Sequence, residues 1–277
     1  MNRSLALGLV SASLLVWGTA AQAQWPSYPG RDVPRTADGE VDMDAPPPRT
    51  REGRIDFSGI WTSRFGGFGG GPGEEREEEE SDSPPVASFG NIGANIPGGA
   101  PYTYLARQVL EQRMARRMQD NPDAHCLPMG HTQFHTHPQP RKMIQTEDVI
   151  VILYEGNAGI RQIFLDGRPS PDNDPLPWWY GYSTGHWEGD ELVVVTTHMK
   201  DDGWLDVNGS PFTSAGTITE RFRRPTFGSL EIDVTIEDPT AYTEPFTVRV
   251  NQGIMVDTNL IEFVCIENEQ SSEYYYE

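Results

Sequence analysis

The feature that most restricts the fold is a series of short strand-like segments joined by turns over residues 142–265. Val, Ile, Thr and aromatic residues recur there at alternate positions, which is typical of strands with one buried face. Gly, Asn, Asp and Pro mark the turns, and no helical period interrupts the series. The predicted strands are residues 142–155 (as one or two strands), 160–165, 186–199, 217–224, 230–236, 246–251 and 260–265.

One more strand, at residues 56–64, brings the predicted total to about eight. Short connections favour antiparallel neighbours, and a closed meander leaves no strand edge exposed. The sequence therefore predicts an all-β fold, an antiparallel up-and-down barrel like that of lipocalins. A sandwich of two sheets is the alternative. The pair Gly59-x-Trp61 resembles the GxW signature of lipocalins, in which the Trp closes one end of the barrel.

The predicted barrel domain spans residues 55–270, and residues 271–277 form a tail. Upstream, residues 1–23 combine Arg3, an apolar run and Ala21-Gln22-Ala23, the pattern of a signal peptide cleaved after Ala23. A transmembrane anchor is the alternative, although the run is shorter than the ~20 residues that a span needs. No later segment is apolar enough to span a membrane.

Three further segments are distinguished by composition or period. Residues 24–54 are rich in Pro and charge, which predicts an extended arm. Residues 66–100 are rich in Gly, Pro and Glu, which predicts a disordered acidic insertion. Residues 104–119 are predicted to form a helix that packs on the barrel, on the N-terminal side of the main strand series. Its apolar residues at helical spacing are Leu105, Val109, Leu110, Met114 and Met118.

The net charge of −20 argues against nucleic acid as a partner, because phosphate binding needs a basic face. It suits a soluble exported protein in the periplasm or outside the cell. Cys126 and Cys265 are the only cysteines. In an oxidising compartment they are predicted to form one disulfide, with a thiolate metal ligand as the alternative.

Several blocks in residues 55–270 resemble, in the same order, a family of secreted bacterial proteins that carries WEGDTLVV, DGR, ERF-R and TIEDP blocks. The resemblance implies export and an all-β domain, and it transfers no catalytic residue. Residues 131–142 depart from the family pattern, which has a Pro-Arg and apolar segment there. The matching blocks are DFSGIWTS, CLPMG, FLDGRPSP, GHWEGDELVVVTT, GWLD, ERFRRP, LEIDVTIEDPTAYTEPF and EFVCIEN.

That departing segment holds His131, His135 and His137 within seven residues. If residues 133–137 are extended, His135 and His137 share one face, and a bend at Gly130 lets His131 join them. Neutral imidazoles suit Zn, Cu, Fe or Ni, so a divalent metal site is predicted. The alternative is a polar groove in which the histidines hydrogen-bond to the backbone.

Binding residues are predicted on an aromatic segment and on two arginines. Trp178, Trp179 and Tyr182 offer flat faces with polar edges, which suit a sugar or an aromatic ligand. The alternative is that these aromatics plug the barrel. Arg141 and Arg161 are candidates for binding a carboxylate or phosphate, and exterior ion pairs are the alternative for them.

The predicted catalytic residues are His186 as a general base, with Glu188 and Asp190 beside it. The alternative for Glu188-Gly189-Asp190 is a simple hairpin turn. In residues 217–224, strand alternation places Glu220, Phe222 and Arg224 on one face. The chain has no Walker loop and no GxGxxG motif.

These patterns predict a secreted or periplasmic barrel enzyme that acts on a small polyhydroxylated or aromatic molecule. Hydrolysis, elimination and isomerisation all fit, with a metal at the histidines polarising an oxygen or activating water. The alternative is a barrel that binds or carries a ligand without turnover.

Overall fold

The structure is a computed structural model that describes residues 33–63, 83–171 and 176–267. The predicted signal peptide, the acidic run at residues 74–82 and the tail at residues 271–277 lie outside the described residues. In the part of the chain that the structure describes, no helix is long and apolar enough to cross a membrane.

Nine strands form one closed barrel, in which β9 returns to pair with β1. Neighbouring strands are antiparallel except for β4 and β5, which run parallel over two residue pairs. The all-β barrel predicted from the sequence is therefore confirmed, with nine strands in place of about eight. The strands are β1 (Gly59–Ser63), β2 (Arg141–Gln145), β3 (Val149–Tyr154), β4 (Ile160–Phe164), β5 (Tyr182–Glu188), β6 (Glu191–Thr197), β7 (Thr217–Thr226), β8 (Ser229–Glu237) and β9 (Phe246–Met255).

Two strand predictions differ from the structure. The strand β5 begins at Tyr182, inside the aromatic segment, and turns into β6 at Gly189, whose φ of +65° suits the hairpin. The predicted strand at residues 260–265 is wrong, since those residues lie outside the sheet. The strand β1 already occupies the edge of β9. Ile261, which is 66% exposed, therefore has no buried face to occupy.

Alternate residues of each strand fill the barrel interior. On β8 the inward side chains are all almost completely buried: Leu230, Ile232, Val234 and Ile236. Trp61 on β1 is also fully buried, and its indole N–H donates to the carbonyl of Phe57 at 2.9 Å. The guanidinium of Arg224 lies 4.8 Å from the centre of the Trp61 ring, so a cation covers this buried aromatic.

Within the described residues, two α-helices accompany the barrel: α1 (Tyr104–Ala115) and α2 (His131–Thr136). The side chain of Thr103 caps the start of α1. The helix ends before the predicted residue 119, because Arg117 and Met118 adopt positive φ. The predicted packing face is right for Leu110 and wrong for Leu105, Val109 and Met114.

Of the residues in α1, only Ala106 and Leu110 are buried, whereas Leu105, Val109 and Met114 are exposed. A small alanine allows the close approach, and Arg113 reaches across to the carbonyl of Gly209 at 2.8 Å.

The disorder predicted for residues 66–100 is wrong for residues 83–100, which lie against the barrel. Ala87 and Arg249 of β9 are joined by a backbone hydrogen bond of 2.7 Å. Ile92 is 1% exposed, and its N–H donates to Asp206 at 2.9 Å. The segment needs no core of its own, because the barrel satisfies its backbone groups. Residues 33–54 form two small turns, closed by the bridges Arg35–Val41 and Arg49–Ile55.

Candidate functional site

A disulfide between Cys126 and Cys265 confirms the predicted pairing and removes the alternative of a thiolate ligand. Cys126 ends a short 3-10 helix (Pro122–His125) with a left-handed backbone. The bond ties the end of the described chain to the turn that precedes α2. It therefore anchors the segment that carries the predicted metal ligands.

The extended conformation predicted for residues 133–137 is wrong. Residues His131–Thr136 form a helix whose six side chains are all buried. Water cannot reach the backbone of these buried residues. A helical conformation lets part of that backbone form hydrogen bonds within the segment. Helical geometry puts residues four apart on one face, so His131 and His135 lie together.

His137 lies after the end of α2 and is separated from the other two histidines. Its ring packs edge-on against Phe89, with 5.3 Å between the ring centres. Among the described residues, no three His, Cys, Asp or Glu side chains form a group that could hold a metal ion. The predicted cooperation of His135 and His137 on one face is therefore wrong.

Both buried imidazoles instead face Glu220 of β7. The Nε2 of His135 lies 2.5 Å from one carboxylate oxygen, and the Nε2 of His131 lies 3.7 Å from the other. All three side chains are at most 1% exposed. Glu220 was not among the predicted site residues. The sequence signal for Glu220 is strand alternation, which places it on the same face as the aromatic Phe222.

Arg161 of β4 binds the same carboxylate from the opposite side. Its Nη1 donates to Oε1 of Glu220 at 3.0 Å, and its Nη2 donates to Oε2. The same guanidinium donates to Ser183 at 3.1 Å and to Thr196 at 2.9 Å. The side chain is 1% exposed, so the alternative of an exterior ion pair is wrong. Most of its donors are used within the protein, and its main role is to hold Glu220.

Arg141 of β2, the second arginine predicted to bind ligand, is also completely buried. It donates to the carbonyls of His135 at 3.0 Å and His137 at 3.2 Å. Gln252 of β9 donates to the same His135 carbonyl at 3.2 Å. Burial lowers the pKa of Arg141 to about 10, so the side chain remains a cation at neutral pH. These contacts hold the C-terminal end of α2 in place.

The charges in this cluster follow from burial and from Arg161. Burial favours the neutral acid of Glu220, but the Arg161 cation outweighs it and holds the pKa of Glu220 well below its usual range. Burial lowers the pKa of His135, and the contact with Glu220 offsets only part of this effect. Burial and Arg161 lower the pKa of His131 much further. At neutral pH the cluster therefore consists of one carboxylate, one guanidinium and two neutral imidazoles.

These shifts predict a loss of stability in mild acid. The pKa values of His131 and His135 lie below those in the unfolded chain, so the unfolded state takes up protons first as the pH falls below about 6.5. The free energy of unfolding should then fall by about 1.4 kcal/mol per pH unit for each imidazole that stays neutral. Urea denaturation between pH 7.5 and 5.5 measures this slope.

The variants His131→Gln and Phe134→Leu provide the comparison, because both alter α2 and only the first removes a titrating group. His131→Gln should reduce the total fall between pH 7.5 and pH 5.5 by about 1.4 kcal/mol, an average of about 0.7 kcal/mol per pH unit. Phe134→Leu should lower the stability at every pH and leave the slope as it is. Equal slopes in all three proteins would contradict the assignment of a neutral buried His131.

Several buried polar atoms around this cluster have no hydrogen-bond partner among the described residues. Each such atom costs about 1–3 kcal/mol, so their concentration in one place is typical of a functional site. They are both ring nitrogens of His131, Nδ1 of His135, Oε1 of Gln133, Nε of Arg141, the hydroxyl of Tyr180, and Oε1 of Gln252.

A pocket of about 390 Å³ opens beside this cluster, at the seam where β4 and β5 meet. Trp178 and Tyr182 lie 5.7 Å apart between ring centres, and Phe164 lies 5.2 Å from Tyr182. Gln162 provides the exposed polar side chain of the lining, whereas the side chains of Arg161 and Ser183 are each 1% exposed and hydrogen-bond to each other inside the barrel. The structure thus brings together Trp178, Tyr182 and Arg161 of the predicted binding residues, and Trp179 and Tyr180 complete the aromatic wall: Phe164, Trp178, Trp179, Tyr180 and Tyr182.

Gly181 allows the aromatic segment to enter β5. Its φ is +65°, and a Cβ atom there would lie 2.6 Å from the carbonyl oxygen of Thr197. Only glycine tolerates both conditions. The β4–β5 pairing covers only two residue pairs, so the strands leave room for the pocket between them.

The predicted catalytic residues His186, Glu188 and Asp190 lie on the outside of the barrel, with side chains 50–63% exposed. His186 lies 3.3 Å from Glu188, which also accepts from Arg221 at 2.9 Å. Asp190 pairs with Arg49 of the N-terminal arm at 2.6 Å. The structure does not bring these residues to the pocket or to the buried histidines, and the hairpin turn accounts for their contacts.

The site therefore has two parts, an aromatic pocket open to solvent and a buried His–Glu–His cluster. The strand β4 lies between them: its Arg161 side chain binds the cluster, and its Gln162 side chain faces the pocket. Comparison with known proteins gives no relative from which a role could be transferred. No family model, no curated protein and no solved structure matches this chain.

Proposed function

We propose that the protein is an exported barrel that binds a small aromatic or polyhydroxylated molecule in the pocket between β4 and β5. The observation that carries this proposal is the aromatic wall of a pocket of about 390 Å³. Small-molecule sites are concave, measure about 300–1,000 Å³ and combine apolar walls with a few polar groups. Trp178 and Tyr182 supply the walls, and the exposed Gln162 supplies a polar amide.

The charge balance of the cluster favours a neutral ligand. Arg161, the cation in the pocket lining, is already paired with the ionised Glu220. His131 and His135 add no charge at neutral pH, since burial lowers the pKa of both. A ligand with hydroxyl groups matches this lining better than a phosphate, which needs an uncompensated cation. The disulfide supports export, because such bonds persist in oxidising compartments.

An acid–base enzyme is the second candidate, and the His135–Glu220 pair favours it. When His135 donates its Nε2–H to Glu220, the unpaired Nδ1 carries a lone pair. A carboxylate that orients an imidazole in this way is a common device for preparing a general base. Hydrolysis, elimination and isomerisation are the reactions that this pair would serve.

Calorimetric titration with phenol, catechol and 4-nitrophenyl glycosides tests the binding function. At least one compound should bind, and Trp178→Ala should weaken its binding about tenfold, since an aromatic stacking partner contributes about 1.4 kcal/mol. The control is Tyr104→Ala, which removes an aromatic ring that is 75% exposed on α1. Binding that is absent, or equal in the Trp178→Ala and wild-type proteins, would rule out this pocket.

Product analysis by NMR separates the two candidates. Conversion of a bound compound by the wild-type protein, and its loss in a folded His135→Gln variant, would establish the enzyme. Binding with no conversion over a day would establish the carrier.

A further inference from the structure

A second cavity lies between α2 and the segment at residues 199–218. Its volume is about 10 Å³, roughly the space that one water molecule needs. Its walls are mostly apolar, and His131 is the only histidine among them. The lining includes His131, Met199, Trp204, Leu205, Phe212 and Ile218. With its lining side chains in these positions, the cavity therefore admits no more than one hydroxyl-sized group.

His131 is the polar side chain in this cavity that lacks a hydrogen-bond partner among the described residues. The side chain is 1% exposed, and neither ring nitrogen has a hydrogen bond with the described residues. The carboxylate of Glu220 lies 3.7 Å from its Nε2, beyond hydrogen-bond distance. A neutral imidazole carries one donor and one acceptor, so both are free to bind a hydroxyl or a carbonyl.

Trp179 places this cavity next to the outer pocket. Trp179 lines both the outer pocket and the cavity at His131. It is partly exposed, and the Lys200 ammonium lies 4.8 Å from its ring centre. The indole of Trp179 thus borders both spaces.

We propose that the ligand site continues past Trp179 into the cavity at His131, and that this inner part binds an apolar chain ending in a neutral hydroxyl or carbonyl group. The inference rests on the proposed binding function and adds a ligand class to it. The outer pocket holds the aromatic ring, and the ring of Trp179 turns aside to admit the chain. The apolar walls cover the chain, and His131 hydrogen-bonds its end.

Three probes test this assignment by calorimetry: phenol, 4-propylphenol and 3-(4-hydroxyphenyl)propan-1-ol. The last two differ only in a terminal hydroxyl. The wild-type protein should bind the alcohol about tenfold more tightly than 4-propylphenol, and His131→Phe should abolish this preference. No preference in the wild type, or an unchanged preference in His131→Phe, would overturn the inner site.

A second measurement avoids any effect of the substitution on folding. In wild-type protein with ¹⁵N-labelled histidine, the ring nitrogens of His131 should shift when the alcohol is added and shift much less with 4-propylphenol. Equal shifts with the two probes would overturn the inner site.

Phenol binding distinguishes failure of the outer pocket from failure of the inner site. Binding of phenol without a preference for the alcohol retains the outer pocket and removes the inner site. If phenol does not bind, the outer pocket fails, and crystals soaked in propan-2-ol then decide the inner site alone. An alcohol bound at His131 would support it, and its absence would overturn it.

Discussion

Replacing Glu220 with glutamine is expected to lower the free energy of unfolding by about 3–5 kcal/mol, because it leaves the buried guanidinium of Arg161 without a counter-charge. Glu220 is completely buried and binds both Arg161 and His135, so no water can replace the lost carboxylate. Guanidinium denaturation at pH 7.5 measures the change.

The control for this substitution is Glu191→Gln, the same chemical change on the outside of the barrel. Glu191 accepts from Arg221 at 2.8 Å, with a side chain that is 22% exposed. Its loss should cost less than about 1 kcal/mol, as is usual for ion pairs near the surface. The double variant Arg161→Met/Glu220→Leu should recover much of the stability lost in Glu220→Gln, because it removes the unpaired charge. Similar losses in the two glutamine variants would contradict the buried ion pair.

The second large effect concerns the disulfide. The double variant Cys126→Ser/Cys265→Ser should lose about 4–5 kcal/mol of stability on the chain-entropy model, since the bond closes a loop with a sequence separation of 139 residues. Reduction of the wild-type protein should give a loss of the same size. Denaturation with and without a reductant measures both. A change below about 1 kcal/mol would show that the bond does not restrict the unfolded chain in this way.

Much of the barrel follows from local sequence pattern. The alternation in β7 and β8 predicts both the strands and their inward faces, including the face shared by Glu220, Phe222 and Arg224. Closure of the barrel does not follow from local pattern, because it depends on a pairing between distant strands. Residues 260–265 look as strand-like as β9, and only the return of β9 to β1 leaves them outside the sheet.

The site was harder to predict from the sequence than the barrel, because it depends more on tertiary structure. Residues 131–136 are too few to show a helical period, and their helix forms because the buried site leaves the backbone no other partner. That one difference replaces the predicted pair His135 and His137 with His131 and His135. The spacing of these two histidines, four residues apart, was the available signal. The parallel seam between β4 and β5 has no local pattern, so the pocket beside it could not be located from the sequence.

A crystal structure with a bound 4-nitrophenyl glycoside or phenol tests the proposed binding site most directly. The expected result is a ligand ring packed against Trp178 and Tyr182, with a ligand hydroxyl directed towards the side chain of Gln162. A ligand that binds only outside this pocket, with the aromatic wall unoccupied at saturating concentration, would contradict it.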